Sequence, residues 1–179
     1  VDAMQVIGLC RFSYPALGGF QVEHETVEDR IAFLYAEHRL EERFRLMETV
    51  ALPCIRHQTD PDFELIIVIG DQLPARHRRR LEALTADIPQ VRIEAQPPRN
   101  HREVMKELLN DSRASRNEPC LQFRHDDDDA VAAAAQATER RTGPKSFHES
   151  KLAAEGDAPA YTQRQSGDSV TVLVQVGGI

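Results

Sequence analysis

The chain lacks an excess of positive charge and lacks any long hydrophobic run. Its 22 lysines and arginines face 29 aspartates and glutamates, a net charge of -7. Such a balance excludes a general nucleic-acid binder, which needs a basic surface. No apolar run approaches the roughly 20 residues that cross a membrane. The opening residues resemble an expression remnant before a natural start at Met4, and they lack a signal-peptide core.

Cysteines are also scarce. Cys10, Cys54 and Cys120 stand far apart in apolar surroundings, and an odd count without paired spacing excludes a disulfide framework or a zinc site. We therefore expect reduced core thiols and a cytoplasmic protein. With 179 residues, of which 41% are hydrophobic, the chain is long enough for one ordinary globular domain.

Strand and helix patterns alternate along the chain. The segment Phe63–Asp71, "FELIIVIGD", is apolar on both faces, which is typical of a central parallel strand. An apolar stripe at helical spacing runs from Leu40 to Ile55, and Pro53 must kink or end that helix unless a new first turn begins there. The predicted strands are 4–10, 63–71, 91–94 and 121–123, and the predicted helices are 40–55, 74–84 and 101–109.

Alternation of this kind predicts an α/β fold, with a parallel sheet covered by helices on both faces. Ligands of open α/β sheets bind beyond the carboxyl ends of the strands. Arg11, Asp71 and the acidic run Asp126–Asp129 all follow such ends. Further along, Ala130–Arg141 is predicted to be a helix and Ser169–Val176 a strand.

The acidic run is the most informative feature. At about 6 Å and an intermediate dielectric, two like charges repel by roughly 3 kcal/mol, so a fold must solvate such a run or neutralise it with a cation. If the run continues as an extended segment, Asp126 and Asp128 point one way and Asp127 and Asp129 the other. Two carboxylates on one face suit a hard divalent ion that also binds substrate phosphates. The alternative is a solvated acidic turn.

These features together resemble the nucleotide-binding half of a GT-A glycosyltransferase. The phrases "GLCRFSY", "LPCIRHQTDPDFELIIVIGDQLP" and "FRHDDDDAV" resemble a bacterial family of proposed rhamnosyltransferases. The family's Asp-x-Asp motif matches Asp126, Asp128 and Asp129, with Asp127 in the variable place. The resemblance covers residues 4 to about 135, the expected nucleotide-sugar-binding domain, and leaves 136–179 as an incomplete acceptor part without a match for the catalytic base.

The resemblance implies a nucleoside-diphosphate sugar donor, such as dTDP-rhamnose, a saccharide or other hydroxyl acceptor, and Mn²⁺ or Mg²⁺ as cofactor. Asp128 and Asp129 are then expected at the metal, with Asp126 at the metal or the donor ribose. Asp71 matches the place where the family contacts the base or ribose; its alternative role is to lead the next helix.

Several basic residues are candidates for the donor phosphates. Arg11 can bind a diphosphate through its planar guanidinium, or it is an ordinary surface arginine. Arg99, His101 and Arg102 stand where a helix begins, a place that favours anions. Two rival functions stay open: a non-catalytic nucleotide-sugar or cation-binding module, and a metal-dependent phosphohydrolase or nucleotidyltransferase that uses the same carboxylates. The pair His125 and Asp126 resembles the His-Asp pair of metal phosphohydrolases, but those pairs lie on helices, and the residues before His125 are predicted to form a strand.

Overall fold

Parallel strands form one sheet in the computed structural model, which describes residues 4–18, 24–115 and 120–130. The strand order is β3-β2-β1-β4, and every pairing is parallel. This is the α/β architecture that the resemblance to GT-A enzymes implies. The strands are β1 (Gln5–Arg11), β2 (Glu64–Gly70), β3 (Val91–Gln96) and β4 (Cys120–Arg124).

Strand β2 has the central place that its sequence predicts. It pairs with β1 on one side and with β3 on the other. Leu65, Ile67 and Ile69 enter a core that also contains Leu40, Phe44 and Leu81 from helical segments. Ile66 and Val68 enter the core on the opposite face, beside Val104 and Leu108. Both faces of the strand are therefore buried, because helices cover both faces of the sheet.

The predicted helix over 40–55 exists as part of a longer helical run. It consists of α2 (Glu37–Leu46), a π-helical segment (Met47–Ala51) and α3 (Leu52–Arg56). The Leu52 N–H donates to the carbonyl of Met47, five residues back. Pro53 has no N–H to donate, and it lies in the first turn of α3, where a helix tolerates proline. The run therefore passes Pro53 by restarting there, one of the two outcomes that the sequence allowed.

The described residues form three further helices: α1 (Val27–Leu34), α4 (Ala75–Thr85) and α5 (His101–Ser112). Helices α4 and α5 lie where the sequence predicts them, whereas α1 was not predicted. Its sequence does carry a start signal, since the Thr26 hydroxyl accepts a hydrogen bond from the Asp29 N–H at 3.0 Å. With only eight residues, α1 has too short a pattern to stand out.

Gly8 on β1 makes room for the aromatic residue of the neighbouring strand. Gly8 is paired with Leu65 on β2 and with Phe123 on β4. A Cβ atom at Gly8 would lie 2.3 Å from Cζ of Phe123 and 2.8 Å from Cδ1 of Leu65. The Phe123 ring crosses over β1 and packs against Phe63, with their centroids 6.4 Å apart. Strand β4 can therefore lie flat against β1 only because position 8 has no side chain.

Some sequence predictions fall outside the described residues: the helix over Ala130–Arg141 beyond its first residue, the strand Ser169–Val176 and the boundary near residue 135. Within the described part, no helix combines the length and the apolar character that a membrane span requires. All three cysteines are free thiols. Cys10 and Cys120 are buried in the core, as predicted, whereas Cys54 is only half-buried.

We predict that Gly8→Ala destabilises the fold by about 1–3 kcal/mol, because the added methyl group overpacks the core against the Phe123 ring. Urea unfolding measures this change. In the double variant Gly8→Ala/Phe123→Leu the smaller side chain relieves the clash, so the double variant should lose less stability than the sum of the two single changes. Additive losses would show that Phe123 and Gly8 do not compete for the same space.

Candidate functional site

The predicted donor-binding residues follow strands that end at one edge of the sheet. Arg11 is the last residue of β1, Asp71 follows β2, and the acidic run follows β4. The His125 N–H donates to the carbonyl of Leu9 at 2.9 Å, which extends the pairing of β4 with β1 up to the acidic run. Parallel pairing thus brings residues from distant parts of the chain to one edge, where α/β proteins bind ligands.

The acidic run is a turn and not an extended segment, so the expected alternation of faces is wrong. Strand β4 ends at Arg124, and the Asp129 N–H donates to the carbonyl of Asp126 at 3.1 Å, across the turn. The Asp126 N–H donates in return to Oδ2 of Asp129 at 2.9 Å. The four carboxylates differ in their surroundings: Asp127 is buried, Asp128 is exposed, and Asp126 and Asp129 are half-buried.

Asp127, in the variable place of the motif, is the buried member of the run. Its side chain is only 4% exposed, and its Oδ1 accepts a hydrogen bond from Nη1 of Arg43 at 2.7 Å. Burial raises the pKa of Asp127 to about 6, against the lowering effect of Arg43 and with further increases from Asp128 and Asp126. The run is therefore not a simple solvated turn, since one carboxylate points into the protein.

Asp128 is the exposed member of the run. Its side chain is 55% exposed, and its Oδ2 lies 3.9 Å from Nη1 of Arg43, at the limit of an ion pair. Asp129 is half-buried, and burial raises the pKa of its carboxyl group although the Asp126 N–H opposes this. Asp128 is therefore the carboxylate that solvent and ligands reach most readily.

Asp126 has a cation of its own. Nε of Arg124 donates to Oδ1 of Asp126 at 3.0 Å, and Nη2 of Arg124 donates to Oδ2, so the pair is bidentate. Burial alone would lower the pKa of Arg124, yet the ion pair with Asp126 raises it overall. Two arginines thus neutralise two of the four carboxylates without a metal.

The structure gathers cationic side chains beside Asp126. Burial is the main cause that lowers the pKa of Arg11, and nearby Arg124 lowers it further while Asp126 raises it. His101 has a pKa of about 4, because burial and the charges of Arg11, Arg124 and Arg102 all disfavour its protonation. His101 is thus neutral at physiological pH, and the positive charge of this group comes from the arginines.

Helix α5 offers no spare N–H at its first turn. The Asn100 side chain accepts from the N–H groups of Arg102 and Glu103, at 3.0 and 3.4 Å. The His101 N–H donates to the carbonyl of Leu17 at 3.0 Å. Arg99 forms two hydrogen bonds with Glu107, at 2.8 and 2.7 Å. Any phosphate at this helix must therefore be bound by side chains, and Arg99 must leave Glu107 to take part.

Asp71 lies in a different group, with two tyrosines. The Tyr14 hydroxyl donates to the carbonyl of Pro97 at 2.9 Å, and the Tyr35 hydroxyl lies over Gly70, where an added Cβ would be 2.1 Å away. Burial raises the pKa of both phenols, and the Asp71 charge raises each further. Asp71 is exposed beside these rings, at the end of β2.

Sequence reasoning missed Arg43, Arg124 and Tyr35. Arg124 lies in the segment "FRHDDDDAV", two residues before Asp126, and this closeness in sequence could have predicted its ion pair with the acidic run. Arg43 lies in a charged stretch of α2 that looks like an ordinary solvated helix face, and Asp127 is 84 residues further along. Nothing in the sequence pattern predicts that this helix packs against the acidic turn.

The carboxylates suit a hard cation in chemistry but do not enclose one. Within ranges 4–18, 24–115 and 120–130, no group of three or more His, Cys, Asp or Glu side chains is arranged to hold a metal ion. Asp128 is open to solvent, and Oδ2 of Asp127 is buried with no hydrogen-bond partner among the described residues. Mg²⁺ commonly binds through one or two carboxylates plus substrate phosphates and water, and the turn fits that arrangement.

Comparison with known proteins gives one family. The family described as "Putative rhamnosyl transferase" matches residues 5–146, which includes β1 to β4, the acidic run and every candidate donor-binding residue. No match was found among the curated proteins or among the solved structures.

We predict that Asp127 makes the fold less stable as pH rises from 4 to 7. Its pKa is higher in the folded chain, about 6 against an ordinary 3.8, so the folded state holds the proton more tightly. The resulting stability is present below pH 3.8 and is lost as pH rises through about 6. The loss amounts to roughly 2–3 kcal/mol.

Urea unfolding of the wild type and of Asp127→Asn, with EDTA present, measures this loss. The stability of the variant relative to the wild type should increase by that amount between pH 4 and pH 7. Asp111→Asn, which removes an exposed carboxylate from the last turn of α5, should show no such trend. Parallel pH profiles for the wild type and Asp127→Asn would contradict the burial of a charged Asp127.

Proposed function

The chain belongs to the rhamnosyl transferase family, a family of glycosyltransferases, and on that premise we propose that it transfers a sugar from a nucleoside-diphosphate donor to a hydroxyl acceptor. We take dTDP-rhamnose as the donor: the family's description names a rhamnosyl group, and the resemblance given above implies a nucleoside-diphosphate carrier. We place the reaction in the cytoplasm, where free thiols such as the three in this chain persist.

One observation carries the proposal: an open carboxylate and a group of arginines lie together at the carboxyl edge of a parallel sheet. Asp128 is 55% exposed in the turn that follows β4. Arg11 and Arg124 lie close enough to Asp126 for their charges to act on one another. A nucleoside diphosphate needs both kinds of group, since a cation bound to carboxylates and direct arginine contacts each neutralise part of its charge.

We assign Asp128 and Asp129 to a Mn²⁺ or Mg²⁺ ion. Such an ion acts as a Lewis acid for the charge that develops on the departing nucleoside diphosphate. Asp126 can join the metal or bind the donor ribose, but only if it leaves Arg124 or shares that ion pair. Asp127 holds the turn in place and does not meet the ligand, because it is buried against Arg43.

We assign the remaining candidates by their position at the edge. Arg11 and Arg102 bind the diphosphate, and Arg99 joins them if it exchanges Glu107 for phosphate. Asp71 accepts a hydrogen bond from the base or the ribose, since a carboxylate is an acceptor only.

We predict that Asp128→Ala abolishes the Mn²⁺-dependent stabilisation by dTDP and the release of dTDP from dTDP-rhamnose, while the domain stays folded. In the wild type, dTDP at 100 times its dissociation constant should raise stability by about 2.7 kcal/mol when Mn²⁺ is present. A thermal-shift titration with and without Mn²⁺ measures this. Asp111→Ala, on the far end of α5, is the matched control and should behave as the wild type.

Full metal-dependent binding by Asp128→Ala would remove this residue from the metal site. Metal-dependent binding of dTDP by the wild type without any turnover of a sugar donor would instead support the non-catalytic module.

We predict that Asp71→Asn weakens binding of the whole nucleotide and leaves the affinity for Mn²⁺ alone unchanged. A lost charged hydrogen bond is worth roughly 1.5–3 kcal/mol, about ten- to a hundredfold in affinity.

Arg11→Ala should weaken the binding of dTDP and UDP more than that of thymidine, because the partner of Arg11 is phosphate. Calorimetry with the three ligands tests both changes, and wild-type affinities throughout would place the nucleotide elsewhere.

A further inference from the structure

Arg43 reaches the acidic turn from a helix far away in sequence. Its Nη1 donates to Oδ1 of Asp127 at 2.7 Å and lies 3.9 Å from Oδ2 of Asp128. The Arg43 side chain is 29% exposed and that of Asp127 only 4%, so most of this pair is shielded from water. One guanidinium thus touches the buried carboxylate of the turn and borders the exposed one beside it.

The contact differs from an ordinary surface ion pair. The other oxygen of Asp127, Oδ2, is buried and has no hydrogen-bond partner among the described residues. Arg43 is therefore the charge partner on which the burial of this carboxylate depends. Removing one partner of a buried pair leaves an uncompensated charge, which the turn can relieve only by moving Asp127 toward water.

The backbone of Arg43 is held in place by buried neighbours on its helix. On α2, Leu40 and Phe44 lie on either side of Arg43 in sequence, and both are completely buried in the core. One turn earlier, the Arg39 guanidinium stacks on the Phe33 ring at 4.6 Å from its centroid. The charge of Asp127 also acts on Arg39, but the hydrogen bond to Asp127 comes from Arg43. The hydrogen bond from Arg43 to Asp127 therefore links the acidic turn to a part of α2 that is packed into the core.

The hydrogen bonds of the turn connect the position of Asp127 to that of the neighbouring carboxylates. Asp126 and Asp129 are joined by two hydrogen bonds, at 3.1 and 2.9 Å, so the turn is closed around Asp127 and Asp128. Fixing the Asp127 side chain therefore also fixes where the Asp128 side chain leaves the backbone.

We propose that Arg43 is a positioning residue of the metal site: by binding buried Asp127 it holds the turn so that the Asp128 carboxylate faces solvent, ready to receive a divalent cation. This inference rests on the proposed metal-dependent function. It assigns Arg43 no contact with the metal, the donor or the acceptor. Residues that orient metal ligands in this way commonly change metal affinity by 10- to 100-fold when removed.

Three variants of the full chain test the proposal, with Mn²⁺ as the probe and its binding followed by electron paramagnetic resonance in the presence and absence of dTDP. Arg43→Gln removes the cation. Arg43→Gln/Asp127→Asn replaces the ion pair by a neutral hydrogen-bonded pair with the same net charge as the original pair. Arg45→Gln removes an exposed arginine from the same helix and is the control.

We expect Arg43→Gln to bind Mn²⁺ at least tenfold more weakly, the double variant to return to within about threefold of the wild type, and Arg45→Gln to match the wild type. Unfolding in urea without metal confirms that each variant is folded. A purely structural Arg43 would change that unfolding without changing the Mn²⁺ affinity of the folded protein.

Two results would overturn the proposal. Unchanged Mn²⁺ binding by Arg43→Gln would mean that Arg43 has no effect on the metal affinity. Tighter binding would mean that Arg43 competes with the metal for Asp128. Equal weakening in the single and the double variant would mean that a fixed Asp127 side chain is not what the site needs. If the wild type itself binds no Mn²⁺, the proposed metal-dependent function is wrong, and the role of Arg43 falls with it. If the wild type binds Mn²⁺ and Arg43→Gln binds it equally well, only the role of Arg43 is wrong.

Discussion

The pairing of β4 with β1 is the constraint on which the candidate site depends. The ladder runs from Gln5 with Cys120 to Leu9 with Arg124, and the His125 N–H extends it by one more bond to Leu9. It needs a residue without a side chain at Gly8, where the Phe123 ring crosses. Because this register fixes where β4 stops, it also fixes where the acidic turn begins, next to the end of β1.

Electrostatics then divides the four aspartates by role. Arg124 neutralises Asp126 and Arg43 neutralises Asp127, so the fold supplies two of the counter-charges that the run needs. Asp128 remains the exposed carboxylate and Asp129 is tied into the turn by its hydrogen bond. With two of its carboxylates paired to arginines, the acidic run is compatible with a stable fold. The exposed carboxylate of Asp128 stays accessible to a divalent cation that also binds phosphate.

Sequence patterns predicted the sheet well, because β2 is long, apolar on both faces and bounded by turn residues. The edge on which Arg11, Asp71 and the acidic run meet followed from the parallel topology alone. The alternation of the aspartates was wrong, because hydrogen bonds between Asp126 and Asp129 close the run into a turn, and Asp127 is buried against Arg43. The contact of Arg43 with Asp127 could not be predicted, because a surface-like helix pattern does not reveal which arginine meets a turn 84 residues away.

A crystal structure of the chain with dTDP and Mn²⁺, with anomalous scattering used to locate the metal, tests the donor site most directly. We predict one Mn²⁺ ion bound to an Asp128 oxygen and to the diphosphate, with Arg11 at the phosphates and Asp71 at the base or ribose. Nucleotide bound away from the carboxyl edge of the sheet, or a metal that does not touch the acidic turn, would contradict the assignment of this edge as the donor site.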